Sequence, residues 1–215
     1  DAVNGTTPMR FALTQIGTGH AGITLDTSTA LSRYATLNIG TTVVAGSYTD
    51  SITVTDGSGG TYAVTIYVLV NPAPVITKDG VTTGTVAITA TAGRALTSTA
   101  FTATSGTGAK TFTLTPTISG ITIDTSTANS ALLNLDNSLT TTDSVTVRTI
   151  YETITATDSS GATITRAIAI TLNPAVVVTP ALTTINTTSG VAMNDTVTAT
   201  QGTGSKTFSL TGTPA

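Results

Sequence analysis

Apolar and polar side chains alternate along this chain in short runs of four to ten residues. Nowhere do apolar residues recur at the three-and-four spacing of a helix. Ile164, Arg166, Ile168, Ile170 and Leu172 share one parity, as do Tyr62, Val64, Ile66, Val68 and Val70. Period-two alternation puts each set on one face of a strand, with the intervening residues on the other. The same reading predicts strands over Arg10–Leu13, Gly22–Asp26, Leu31–Ile39, Val75–Thr77, Val86–Thr91, Thr99–Thr104, Thr111–Leu114 and Ala131–Leu135. It predicts further strands over Val176–Thr179, Leu182–Thr187 and Thr196–Thr200. Asp56-Gly-Ser-Gly-Gly and Asp158-Ser-Ser-Gly-Ala read as hairpin loops. Ser105-Gly-Thr-Gly108 and Gln201-Gly-Thr-Gly204 read as hairpins onto the strands of Phe112 and Phe208. Val145 and Val147 fall on the opposite parity from Ile150, Ile154 and Ala156, so a β-bulge is expected near Arg148. Phe11, Phe112 and Phe208 each stand two residues before a Leu and are the expected core anchors.

The runs repeat. GITLDTSTA at Gly22–Ala30 returns as GITIDTSTA at Gly120–Ala128, 98 residues later. Ile52–Ala73 returns at Ile154–Ala175, and Phe101–Phe112 returns as Val197–Phe208. A period near 100 residues is too long for a solenoid and fits one β-sandwich. Asn71-Pro72-Ala73 and Asn173-Pro174-Ala175 end the strands, because proline cannot donate to a ladder. The expected domains are therefore 1–73, holding the later strands of a sandwich; 74–175, a complete sandwich; and 176–215, the first strands of a third. The fold class expected is all-β, with tandem β-sandwich repeats.

Composition narrows the setting. Thr makes up about a quarter of the 215 residues, while only 9% are charged. Thr, Val and Ile suit a pleated surface. The net charge of −3, with no basic cluster, argues against a nucleic-acid partner. No apolar run approaches the roughly 18 residues of a membrane helix. There is no cysteine, so disulfides do not hold the fold.

GITLDTSTA, the Gly46-Ser47-Tyr48 element and ITVTDGSG together resemble the Ig-like repeats of bacterial surface proteins, within the broad Ig-like and cadherin-like group. The resemblance spans nearly the whole chain. It implies an extracellular module in an array: an adhesin, a cell-surface layer or an appendage.

Chemistry is sparse. His20 stands alone in a Gly-rich loop, without the positioned partner that catalysis requires, and reads as surface decoration. No nucleophile motif, zinc motif or phosphate loop occurs. No catalytic, cofactor-binding or metal-ligating residue is singled out, and no enzyme activity is expected. Calcium between domains, which the resemblance raises, needs several converging oxygens. The linkers offer one acid, Asp79 beside Lys78, and Asp26, Asp56, Asp124, Asp136 and Asp158 read as turn caps. Lys110 and Lys206 read as snorkelling surface cations, and Arg166 as an inward residue whose head reaches solvent. Asn4, Asn186 and Asn194 head glycosylation acceptor triplets. The expected function is an extracellular structural and interaction protein that forms or spaces a surface layer, fibre or appendage. Its expected partners are neighbouring copies or repeats of the same protein; the half-repeats at the two ends read either as an excerpt of a longer array or as halves that complement each other head to tail between subunits. An adhesin module for glycans or a surface receptor and an accessory segment of a secreted hydrolase are the alternatives.

Overall fold

The computed structural model describes residues 4–28, 33–98, 100–142, 145–180 and 184–212. Every regular element among them is a β-strand. Two compact units form, Asp1–Pro72 and Ala73–Ala215.

In the second unit the strands are β6 (Val75–Lys78), β7 (Val86–Thr91), β8 (Leu96–Thr97), β9 (Phe101–Thr104), β10 (Thr111–Thr115), β11 (Ile121–Asp124) and β12 (Ser130–Leu135). The long pair β13 (Arg148–Thr157) and β14 (Thr163–Asn173) follows, then β15 (Val177–Thr179) and β16 (Thr198–Thr200). One sheet has the order β10-β13-β14-β7, the other β11-β12-β9-β6. All pairings in them are antiparallel except β14 with β7, which run parallel. Consecutive β6 and β7 lie in different sheets, so the first strand of the sandwich is shared between both. That is the strand order of an immunoglobulin-type sandwich, D-E-B-A against C-F-G with an added parallel A′.

The core follows from parity. Phe101, Leu133 and Ile76 from one sheet and Phe112, Ile154, Ile168 and Ile170 from the other fill a single buried cluster. The outward positions of β13 and β14 are largely Thr, and Thr155–Thr165 and Thr157–Thr163 stand opposite each other across the ladder. β-Branched pairs of this kind support a sheet on its wet face.

In the first unit β1 (Arg10–Ile16), β4 (Gly46–Thr55) and β5 (Thr61–Val70) form one sheet in the order β1-β4-β5. β2 (Ile23–Asp26) and β3 (Thr36–Ile39) form another. By sequence match these are the counterparts of C, F and G, and of D and E.

Several expectations are corrected. β9 and β10 do not form a hairpin; they lie in opposite sheets, and Ser105–Lys110 carries the chain across the sandwich. No bulge occurs near Arg148, because the strand begins there and pairs without interruption from Arg148–Leu172 to Thr157–Thr163. Val145 and Val147 are exposed ahead of it. Phe208 is exposed rather than a core anchor. Thr184–Thr187 lies in no strand. Leu31, Thr99 and Leu182 lie outside the described residues.

Candidate functional site

The two units carry matching sheets in different surroundings. In the second unit the inner face of β10-β13-β14 is covered by the opposite sheet, and the far edge of β14 is paired to β7. In the first unit β5 is an edge strand of its sheet. Its inner-face residues keep the expected parity but not the burial: Val64 is 48% exposed and Tyr62 73%, while their counterparts Arg166 and Ile164 are buried and half-buried. Phe11 and Leu13 are likewise only half-buried. The exposure is concentrated on β5, whose outer ladder groups are unpaired among the described residues, while Tyr48 and Asp50 on the neighbouring β4 are buried.

Arg166 does not reach solvent as expected. It is 6% exposed, and its guanidinium donates to the carbonyl oxygens of Gly84 (3.2 Å), Thr83 (3.0 Å), Ile76 (3.5 Å) and Val81. Arginine's fork of donors lets one inward side chain satisfy the carbonyls of the chain that links β6 to β7. Val64 replaces it in the first unit.

His20 is not surface decoration. It is 4% exposed, and its Nδ1 lies 2.7 Å from Oδ1 of the fully buried Asp50. The edge of its ring meets Tyr48, with centroids 5.1 Å apart. Gln15 holds the loop over the pair, donating to the carbonyls of His20 and Ile23 at 3.0 Å each. Asp50 is inward on β4, thirty positions from His20, so local sequence gave no sign of the pairing. Glu152 occupies the matching position on β13. It is 2% exposed, neither of its oxygens has a hydrogen-bond partner, and Ile118 stands where the His20 match falls. Burial among apolar side chains pushes its carboxyl above the ordinary range.

The other acids are turn caps. Asp158 accepts from the amides of Thr107 (2.7 Å), Ser160 (2.9 Å) and Ala162 (3.0 Å) and from the Ser160 hydroxyl (2.7 Å), which lowers its pKa to about 2. Asp56 repeats the arrangement with Thr6, Ser58 and Gly60, also at about 2, chiefly through the Ser58 hydroxyl. Gly106 makes the close approach possible: with φ at +64°, a Cβ there would lie 2.7 Å from the Asp158 carboxylate. Asp26, Asp124 and Asp136 each accept from the serine two residues on. Asp79 is ion-paired with Lys78. Among the described residues no three His, Asp or Glu side chains gather as metal ligands would. Lys110 and Lys206 each donate to a glycine carbonyl two residues back, at 2.7 and 2.8 Å.

Fold and site together define an Ig-type β-sandwich module. No protein-family profile matches the sequence, and a comparison with curated proteins finds no match. Among solved structures the chain is similar to an E-to-A variant of the titin domains I67–I69, with 14% identity and a TM-score of 0.46. That match covers 81% of this chain and 58% of that one. It is also similar to an endo-fucoidan hydrolase variant from glycoside hydrolase family 107, with 19% identity and a TM-score of 0.36 over 75% of this chain and 23% of that one. A third is the human desmocollin-1 ectodomain, with 14% identity and a TM-score of 0.33 over 76% and 30%. This chain thus spans less than two thirds of each. The Ig-type assignment itself rests on strand order and register.

Proposed function

We propose that this protein is a non-catalytic extracellular structural module, an Ig-like array that forms or spaces a cell-surface layer, fibre or appendage. Its sandwiches are completed by strands from a neighbouring copy or repeat, joined head to tail. One observation carries this reading: matching sheets of the two units differ in cover, closed in the second and only partly covered in the first, where Tyr48 and Asp50 are buried but Tyr62 and Val64 on β5 are exposed. A contact between two different surfaces of the same molecule propagates head to tail, as an open filament where the rotation between copies does not close into a ring. Strand addition supplies ladder hydrogen bonds and removes the open edge. Extracellular placement is consistent with the Thr-rich, weakly charged composition and the resemblance noted above.

Sedimentation velocity across a wide concentration range tests the assembly. The mean mass should climb without a plateau at the dimer, and electron microscopy should show fibres. A single monomer boundary at every concentration sinks the assembly reading, and turnover above background in a broad hydrolase screen sinks the non-catalytic one.

A further inference from the structure

We propose that the turn at residues 201–204 seats the start of one repeat on the end of the repeat before it, through the hydroxyl group of Thr203; this rests on the array reading above. The junction in question follows Asn173, and both of its sides lie within the second unit.

Thr203 Oγ1 makes three hydrogen bonds across that junction. It donates to the Ala90 carbonyl at 3.1 Å, and it accepts from Asn173 Nδ2 at 3.0 Å and from the Thr91 hydroxyl at 2.8 Å. A threonine hydroxyl offers one donor and two acceptor sites, so its capacity is filled. All three partners belong to the preceding sandwich. They come from the paired ends of β7 and β14, where Thr91 stands opposite Asn173. The turn is shaped for this contact. Gln201 and Gly202 hold φ at +60° and +68°, and the Gly202 amide donates to the Pro174 carbonyl at 2.9 Å. A Cβ on Gly202 would lie 2.4 Å from Cγ2 of Val176, so glycine is what lets the turn close over the connecting chain.

The second observation is how little else joins the two sides. A cleft of about 310 Å³ opens between Ala92, Thr140 and Val177. Another, of about 410 Å³, opens between Arg94, Val178 and Lys206. The sides therefore meet through the turn and not across a closely packed face. Residues 174–176 connect β14 to β15 and set the distance between them. The soft dihedrals of that connection leave rotation open. Three bonds converging on one oxygen remove that freedom. An array seated in this way has a defined angle from repeat to repeat, as a spacer or a fibre requires.

The chain has no cysteine, so Ala167→Cys on β14 and Thr200→Cys on β16 would carry spin labels at two exposed positions. Pulsed electron resonance on that pair reads the distance across the junction. The otherwise unmodified chain should give one narrow distance distribution. Thr203→Val keeps the side-chain shape but loses the hydroxyl, and should widen the distribution about twofold. Thr203→Ser keeps the hydroxyl and should restore the narrow form. The melting temperature of the second unit should not change in either variant, because Thr203 lies outside its core. A calcium chelator should also leave the distribution as it is. A distribution that is broad from the start, or that stays narrow in Thr203→Val, overturns the proposal. Broadening by the chelator does so too, since it would assign the junction to an ion. Assembly is read separately by sedimentation. Growth with a broad distribution sinks the seating alone, whereas a narrow distribution in a chain that never grows sinks the array reading and leaves the seating as a contact within one chain.

Discussion

Glu152 puts a carboxyl group into an apolar core with no hydrogen-bond partner for either oxygen. Its pKa is raised, so the folded state holds this proton at a pH where the unfolded chain has released it. Stability from this residue is therefore full below the unfolded value of 4.5 and is lost as pH rises through the folded value. Asp56 and Asp158 act in the opposite sense: their contribution is present above 3.8 and lost as pH falls towards 2. Urea midpoints of the second unit should thus fall on both sides of an acidic optimum. Glu152→Gln should flatten the upper side only and raise the midpoint at neutral pH. A midpoint that still falls with rising pH in that variant assigns the slope to another group. Little of this was legible beforehand. Parity marked Arg166 as inward but not what it would meet, and nothing marked Asp50 as the partner of His20. Asp50 finds its partner thirty residues away, and Arg166 finds carbonyls more than eighty residues away. The aspartate turn caps were readable, because Asp-x-Ser is a local hydrogen-bonding unit.

Elements were legible where alternation alone decides them. β7 has the expected bounds, and β14 buries the expected face, ending at Asn173 before the proline. What alternation does not encode is which strand pairs with which. Strands β9 and β10, joined by a tight Gly-rich turn, read as a hairpin until the register shows them in opposing sheets. The apparent bulge at Arg148 came from extending one strand over residues 145–147, which lie outside it. Matching elements also need not share energetics. Phe112→Ala should cost about 3–5 kcal/mol, the range for truncating a buried Phe. Phe11→Ala, on the half-buried counterpart strand, should cost roughly half of that or less when the chain is dilute and unassembled. Calorimetry of the two variants checks this, and equal losses would mean that the first unit has its cover after all.

At the scale of the whole molecule, the internal repeat made the sandwich class visible, since three echoes at a period near 100 residues leave few architectures. The unequal cover of two such similar sheets was not visible, because cover depends on pairings between distant strands, such as Val86 of β7 with Ile168 of β14. The parallel pairing of β7 with β14 has a mechanical side. The two strands lie near opposite ends of residues 74–175 yet run in the same direction, with six residue pairs in register from Val86–Ile168 to Thr91–Asn173. Tension along an array pulls them past each other lengthwise. The ladder bonds are then loaded together in shear, whereas an end-on hairpin would peel one bond at a time. Optical-trap extension of the unassembled chain should therefore show the second unit yielding at higher force than the first, and equal rupture forces would exclude the clamp.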